Sequence, residues 1–313
     1  MPRASVIVPN YNGLRYLQAC FAALRAQTYH DSETILVDDA STDDSVAWMG
    51  EHYPEVRVVR LERNSGLAAA CNRGARAAQG EVLVMLNNDT EAEPGWLEAL
   101  VRALDEHPRG GAAASKMLLY DRRDTLHTAG DIMGMDGIPR NRGVWEQDEG
   151  QYDQALEVFG GCGGGVAYRR AAWEAAGGFD ENLFMYLEDV DLAWRLQLAG
   201  WEAVFAPQAR LYHHLSATSG GRLSSFLTGR NTIWVLAKDL PAPLWRKHWR
   251  RILAAQWRIA REALRAWRGA EARARVRGQL AGLGGLPHMF RKRKAVQASI
   301  RVPMERLERL LVE

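Results

Sequence analysis

Carboxylates and carboxamides follow three β-rich runs. Val82-Leu83-Val84-Met85-Leu86, apolar without a break, reads as a strand buried on both faces, and Asn87-Asn88-Asp89 comes directly after it. Thr34-Ile35-Leu36-Val37 leads into Asp38 and Asp39, and Ser5-Val6-Ile7-Val8 into Pro9-Asn10-Tyr11-Asn12-Gly13. In open parallel sheets, ligands gather at the carboxyl ends of the strands. An aspartate there accepts hydrogen bonds from a nucleobase or ribose, and one with amide neighbours offers the oxygen ligands that a hard divalent cation needs. A second acidic group, Glu188-Asp189-Val190-Asp191, opens a helical pattern. Carboxylates at a helix start are favoured by the dipole alone, and one of them facing a cavity would also accept a proton. His213-His214, after the strand-like Ala209-Arg210-Leu211-Tyr212, offers an imidazole to the same cation.

The elements that must position these groups alternate. Leu14, Leu17, Phe21 and Leu24 recur at helical steps after the first strand, and Ser41-Thr42-Asp43-Asp44 supplies N-cap residues for a helix carrying Val46 and Met49. Val56 to Val59 is a third strand. A small-residue helix spans about 67–78, and Trp96, Leu97, Leu100, Val101 and Leu104 mark another. This β-α-β-α-β-α-β order predicts an α/β fold with a mostly parallel sheet covered by helices on both faces. The run Gly160-Gly161-Cys162-Gly163-Gly164-Gly165 reads as a tightly packed turn beside a ligand, and Leu192, Arg195, Leu196 and Ala199 as a helix before Gly200.

Composition narrows the class. The 313 residues are 47% hydrophobic and 25% charged, which excludes a disordered chain, and no apolar run is long enough for a membrane-spanning helix. The opening residues reach Pro9 too soon for a secretory leader. With Cys20, Cys71 and Cys162 lacking metal-ligand spacing, reduced thiols in a cytoplasm are expected. The first loop is not G-x-G-x-x-G, which counts against an NAD-dependent oxidoreductase, and no P-loop occurs. The net charge of +2 conceals an asymmetry: residues 241–313 hold 18 basic and 5 acidic side chains, so the preceding 240 are strongly acidic.

Taken together these segments resemble family 2 glycosyltransferases of the GT-A fold, and within them the rhamnosyltransferase-like branch. The resemblance covers most of residues 4–235. It runs from Val8-Pro9-Asn10-Tyr11-Asn12-Gly13 and Val37–Asp43 through Asn64-Ser65-Gly66, Asn72 and Leu86–Thr90 to Gly177–Glu181, Met185–Arg195 and Tyr212-His213-His214. It implies an inverting, metal-dependent transfer of a sugar from a nucleoside-diphosphate donor to a hydroxyl of a glycan or polyprenyl-diphosphate-linked acceptor in cell-surface polysaccharide synthesis. dTDP-rhamnose is the favoured donor and a UDP-hexose the alternative. Pro9, Tyr11, Asn12, Asp38, Asp39, Gly66, Asn72, Asn87 and Asn88 would then bind the nucleotide sugar. Asn87-Asn88-Asp89 stands where the family has its metal-binding D-x-D, so Asp89 becomes the ligand of Mg²⁺ or Mn²⁺, with His213 contributing. The family pattern makes Asp189 the general base and Glu188 its neighbour in catalysis, with Asp191, Cys162 and Gly163 on the acceptor side. A sugar nucleotidyltransferase is the rival enzyme, but it gives no reason for Glu188-Asp189.

Residues 236–313 form a basic helical extension beyond the catalytic domain of residues 1–235. Trp245, Trp249, Leu253, Trp257, Ala260, Leu264 and Trp267 fall at helical steps with arginines largely off the stripe, and Arg291-Lys292-Arg293-Lys294 adds a cationic patch. Such a stripe either packs on the catalytic domain or lies in a membrane interface. Residues 245–294 are therefore expected to meet an anionic membrane surface, placing the protein in the cytoplasm, peripheral at the inner face of the cell membrane. A non-enzymatic nucleic-acid-binding role for the basic tail leaves the acidic region unexplained, and no nucleic-acid partner is expected.

Overall fold

β-Branched and aliphatic runs form strands where their neighbours can bury both faces. The computed structural model describes residues 1–214 and 221–313. In its first part β1 (Ala4–Asn10), α1 (Leu14–Arg25), β2 (Ser32–Asp38), α2 (Ser45–His52), β3 (Arg57–Arg60), α3 (Leu67–Ala77) and β4 (Val82–Leu86) alternate as the sequence pattern predicts. β1 pairs in parallel with β2 and with β4, and β2 with β3, so these strands all end on one edge. Then come β5 (Thr90–Ala92), α4 (Trp96–Glu106), β6 (Gly110–Leu119), β7 (Arg122–Thr128), β8 (Asp131–Gly134), β9 (Pro139–Asn141) and β10 (Glu157–Val158). β11 (Gly165–Arg169), α5 (Arg170–Ala176), α6 (Glu188–Ala199) and β12 (Glu202–His213) complete the sheet region.

The main sheet has the order β10-β12-β6-β11-β4-β1-β2-β3. It is more mixed than the mostly parallel sheet expected, because β11 lies antiparallel between β4 and β6. β6 thereby points the same way as β4, and β12, parallel to β6, delivers His213 to the edge where β4 delivers Asp89. Alternate residues of the central strands fill two layers. Val6, Val8, Leu36 and Val84 pack with Leu17, Phe21, Trp96 and Leu100 of α1 and α4. Ile7, Ile35, Val37 and Leu83 pack with α3, with Trp173 of α5 and with Leu192 and Leu196 of α6. Each large aliphatic or aromatic side chain buried this way contributes about 1.5–3 kcal/mol.

The outer face of α6 meets the remaining helices. α7 (Gly221–Asp239), α8 (Ala242–Arg265), α9 (Ala270–Gly284), α10 (Leu286–Ala298) and α11 (Met304–Arg309) precede β13 (Leu311–Val312). Trp194 and Leu198 of α6 pack with Val235, Leu236, Leu244, Ile252 and Leu307 in a third core. α7 runs unbroken through residue 235, and β13 returns to pair with β8 beside β9, so the extension is built onto the catalytic region. No helix among the described residues is long and apolar enough to cross a membrane.

The polar cluster before α2 serves two helices. Asp44 makes no side-chain cap, but Asp43 Oδ1 accepts from the Ser45 N–H at the start of α2 (3.1 Å). Asp43 Oδ2 accepts from the Leu14 N–H at the start of α1, and Ser41 Oγ accepts from the Asn12 N–H. One carboxylate thus satisfies an N-terminal N–H group on each helix.

Candidate active site

The ends of β1, β2 and β4 are stitched together by amides. Asn10 is buried, and its side chain donates to Ser41 Oγ (3.2 Å) and accepts from Asn88 Nδ2 (2.6 Å), joining all three strand ends. Asn12, at φ 51°, turns its Oδ1 onto the N–H groups of Thr42 and Asp43. Asp38 is fully buried and accepts from the Ser41 N–H. Asp39 takes the N–H groups of Ser65 (2.7 Å) and Gly66 (2.8 Å), one on each oxygen, and burial still pushes its carboxyl up. Of the residues expected at the nucleotide, Tyr11 and Asn12 are exposed, and Pro9, Asn87 and Asn88 are partly exposed on this edge.

Two expected donor contacts hold the scaffold instead. Asn72 is buried, with Oδ1 accepting from the Phe179 N–H and Nδ2 donating to the Phe179 carbonyl and Glu181. Its amide is consumed in clamping the loop ahead of α6. Gly66 stands at φ 90°, where a Cβ would lie 2.5 Å from the Phe184 ring, so its lack of a side chain lets that same loop approach.

Asp89 and His213 face each other. Asp89 Oδ1 lies 3.2 Å from His213 Nε2, both side chains are buried, and neither atom has a hydrogen-bond partner among the described residues. A carboxylate oxygen and an imidazole nitrogen left unsatisfied in this way fit one divalent cation between them. No third His, Cys, Asp or Glu among the described residues joins them, so further ligands would come from donor phosphates and water. His213 Nδ1 meets His127 Nδ1 at 3.2 Å, and His127 in turn meets Asn141 at 3.1 Å. Burial, then His213, pushes His127 down to about 3, so His127 is neutral and orients its partner without adding charge. His214 turns away and stacks on Tyr120 at 3.5 Å between ring centroids.

The Gly-rich turn joins this corner to the acidic helix start. Asn87 N–H donates to the Gly164 carbonyl (3.1 Å), and the adjacent Gly163 N–H donates to Asp189 Oδ2 (2.8 Å). A Cβ on Gly161 would fall 2.7 Å from Val166 and 3.0 Å from the Ala114 Cβ, so the turn packs closely on the sheet there. The turn therefore binds Asn87, two residues before Asp89, through one residue and Asp189 through the next. Tyr186 also senses both sides: burial raises its hydroxyl pKa, and the carboxylates of Glu188 and Asp89 add to the effect.

Three carboxyls crowd the start of α6. Glu188 is buried, with Oε2 unpartnered, and burial followed by the Asp189 charge pushes it well up. Asp131, at the start of β8, is raised in the same way by burial and then by Asp189, with Thr128 opposing. Asp189 is raised by burial too, but the N–H groups of Gly163 and Val190 stabilise its ionised form. It is also partly exposed where Glu188 and Asp131 are buried, so Asp189 is the carboxyl of the three that can be reached. Asp131 was missed in the sequence because it stands alone in an apolar stretch. Asp191, expected on the acceptor side, is corrected: it is fully buried on the opposite side of α6, ion-paired to Arg195 and Lys238. Cys162, expected beside the acceptor, is partly buried next to this group, and burial, then Asp131 and Asp189, pushes its thiol well up.

The loop before Glu188 is strained. Phe184, Tyr186 and Leu187 all have φ between 66° and 68°, costly for residues with side chains. Asn231 of α7, fully buried, holds it by donating to the carbonyls of Leu183, Met185 and Tyr186 at 2.7–3.0 Å. No motif marks Asn231; it lies more than 40 residues from the loop it holds.

The profile of glycosyl transferase family 2 matches residues 5–176. An N-acetylglucosaminyl-diphospho-decaprenol L-rhamnosyltransferase of Mycobacterium tuberculosis is 29% identical over 266 residues, covering 77% of this chain and 86% of that protein. The O-antigen biosynthesis protein RfbC of Myxococcus xanthus is 33% identical over 231 residues, or 69% of this chain and 18% of the relative. Among solved structures, GalNAc-T7 with UDP, GalNAc and Mn²⁺ superposes with a TM-score of 0.62 at 19% identity, over 76% of this chain and 48% of that one. The mannosyltransferase PcManGT of Pyrobaculum calidifontis, with GDP-Man and Mn²⁺, superposes with a TM-score of 0.56 at 20% identity, over 98% and 79%. The fold is GT-A, and the chain belongs to glycosyltransferase family 2.

Proposed function

We propose that this glycosyltransferase moves a sugar, with inversion, from a nucleoside-diphosphate donor to a hydroxyl of a lipid-linked glycan. The donor favoured is dTDP-rhamnose, in keeping with the rhamnosyltransferase relative, and the acceptor a polyprenyl-diphosphate-linked glycan, in keeping with that relative's decaprenol-linked substrate. The observation that carries the reading is the Gly163-Gly164 turn, which binds Asp189 on one side and the backbone of Asn87, two residues before Asp89, on the other. The loops around Asn10, Asp39 and Asn88 receive the nucleotide. Asp89 and His213 would hold Mg²⁺ or Mn²⁺, which would supply positive charge to offset the diphosphate leaving group. Asp189 takes the proton from the acceptor hydroxyl as it attacks the anomeric carbon from the face opposite the diphosphate, and that geometry gives inversion. Glu188 and Asp131 flank it, both carboxyls pushed well up by burial and then by the Asp189 charge.

In this reading residues 1–235 carry the chemistry, and residues 245–294 meet an anionic membrane surface from the cytoplasmic side. The test is a panel of nucleotide sugars assayed for thermal stabilisation with and without Mn²⁺. A donor at 100 times its Kd adds about 2.7 kcal/mol to stability. dTDP-rhamnose with Mn²⁺ is expected to give the largest rise in Tm. A larger rise with a UDP-hexose reassigns the donor, and no rise with any nucleotide sugar removes the reading.

Metal binding gives a separate check. Asp89→Asn and His213→Ala are each expected to weaken Mn²⁺ binding by about 100-fold, comparable with or beyond the loss of an outer-shell partner. Electron paramagnetic resonance titration of free Mn²⁺ in the presence of donor reads this without turnover. Unchanged affinity in both variants would place the cation elsewhere.

A further inference from the structure

The C-terminal helices leave an apolar channel open. α8 buries Leu244, His248, Ile252 and Ala255 against the protein, while the neighbouring stripe of Trp245, Trp249, Leu253 and Trp257 stays 40–66% exposed. Opposite it, Leu280 and Leu283 of α9 and Phe290 of α10 are each more than half exposed. A groove of about 880 Å³ runs between these walls over a floor of Ile233, Leu236 and Leu240 from α7 and its end. Its volume is at the upper end of the range for small-molecule sites, about 300–1,000 Å³, but it lacks the convergent polar groups that such sites use to orient a ligand. An apolar surface this continuous marks an interaction site.

The charge on the same helices defines the partner. Lys247, Arg251 and Arg258 meet Glu308, Glu313 and Asp136. Arg246, Arg250, Arg261, Arg265, Arg291 and Lys294 are exposed, with no carboxylate within ion-pair distance among the described residues. A hydrocarbon groove on cationic helices complements a long apolar chain ending in an anionic group. A second copy of this basic face would be repelled. The groove is also concave and walled on both sides, a shape suited to one chain more than to a flat lipid surface. Its floor helix is connected to the chemistry, because α7 carries Asn231, which holds the loop leading into Glu188 and Asp189.

We propose that this groove receives the hydrocarbon tail of the polyprenyl-diphosphate-linked acceptor, an inference that rests on the lipid-linked acceptor of the functional reading. The tail would lie along α8 with the diphosphate among the arginines, tethering the glycan to the helix that positions the base.

Two acceptors carrying the same glycan on a diphosphate, one with a long polyprenyl chain and one with a short alkyl chain, are to be compared in detergent. The full-length wild-type protein is assayed beside the double variant Leu253→Ser/Leu283→Ser. Both positions are exposed, so folding should survive. KM for the long-chain acceptor is expected to rise about tenfold in the variant, the loss that fits apolar contact removed at two positions, with kcat and the short-chain KM unchanged. An unchanged long-chain KM, an equal loss for both acceptors, or a wild type indifferent to chain length overturns the proposal. Should neither acceptor be turned over, the transferase reading has failed, and quenching of tryptophan fluorescence by a polyprenyl phosphate tests the groove alone. Saturable quenching that the double variant loses supports the site. No quenching, or quenching by anionic vesicles lacking polyprenyl lipid that the double variant loses to the same extent, overturns it.

Discussion

Replacing Asp189 by asparagine is expected to lower kcat by about 10³-fold with donor affinity within about twofold of wild type. The size follows from the environment of the carboxyl. It is half-buried at the start of α6, and two N–H groups steady its ionised form, with Glu188 and Asp131, both pushed well up, beside it. The asparagine keeps the shape and one acceptor oxygen but takes no proton. pH dependence checks the same assignment. Burial raises the Asp189 pKa above its ordinary value of 3.8, so the acid limb of kcat/KM should lie above that value, with activity full at higher pH and lost as pH falls through the limb. Stability has the opposite sign. A carboxyl that keeps its proton longer in the folded chain favours folding at low pH, and that contribution disappears as pH rises through its folded value. The variant, which cannot ionise, should therefore melt no lower than wild type at neutral pH. Stopped or steady-state turnover, donor calorimetry and a melting curve read the three outcomes. A variant within tenfold of wild-type kcat would exclude Asp189 as the base.

Much of this arrangement was legible because the chemistry lies next to strong local patterns. The strands ending at Asn10, Asp38 and Leu86 are continuous apolar runs, and each terminates in the loop that carries polar groups. The glycines of residues 160–165 announced close packing, and the structure supplies the neighbours. Other features escaped because they depend on pairing in space. Asp131, Asn231 and His127 stand singly in sequence and gain meaning only from Asp189, the residue 184–187 loop and His213. The corrected roles share one cause. Asn72 and Asp191 are residue types that serve equally as ligands to a substrate or as clamps on backbone and buried charge, and spacing does not distinguish these uses. The Trp/Leu stripe of α8 shows the same limit. Its helical period was plain, yet Leu244, His248 and Ile252, one position before Trp245, Trp249 and Leu253, are the side chains that pack inward.

The buried charge behind α6 sets the second large effect, this time on stability. Lys238 donates to Asp180 Oδ2 (2.7 Å) and pairs with Asp191, Lys292 of α10 reaches Asp180 Oδ1 (2.6 Å), and Arg195 pairs with Asp191. Lys238, Asp191 and Asp239 are all buried, so water cannot replace a missing partner. Burial alone would raise Asp180 and Asp191. For Asp180 the charge and hydrogen bond of Lys238, with Lys292 and Asn182, prevail and hold it well below the ordinary range. For Asp191, Arg195 and then Lys238 do the same. Asp239 has no such surplus of cations, and burial with Asp191 beside it pushes it well up, so it keeps its proton. Lys238→Met leaves the carboxylates buried with one cation fewer, an imbalance that costs about 3–5 kcal/mol. That is a large share of the roughly 5–15 kcal/mol that holds a typical domain together. Tm should fall by on the order of 10 °C, and urea unfolding should show the loss at constant m. The pH profile provides the discriminating observation. Depressed carboxyls stabilise the fold above their unfolded values near 3.8 and lose that contribution as pH falls through their folded values. Removing Lys238 should therefore flatten the rise in wild-type stability between acid and neutral pH. A midpoint unmoved at neutral pH would mean that α6 and the C-terminal helices are joined by their apolar core alone. Because α6 begins at Glu188 and Asp189, a real loss should also misplace the base: Lys238→Met should then lose both stability and turnover, where Asp189→Asn loses turnover only.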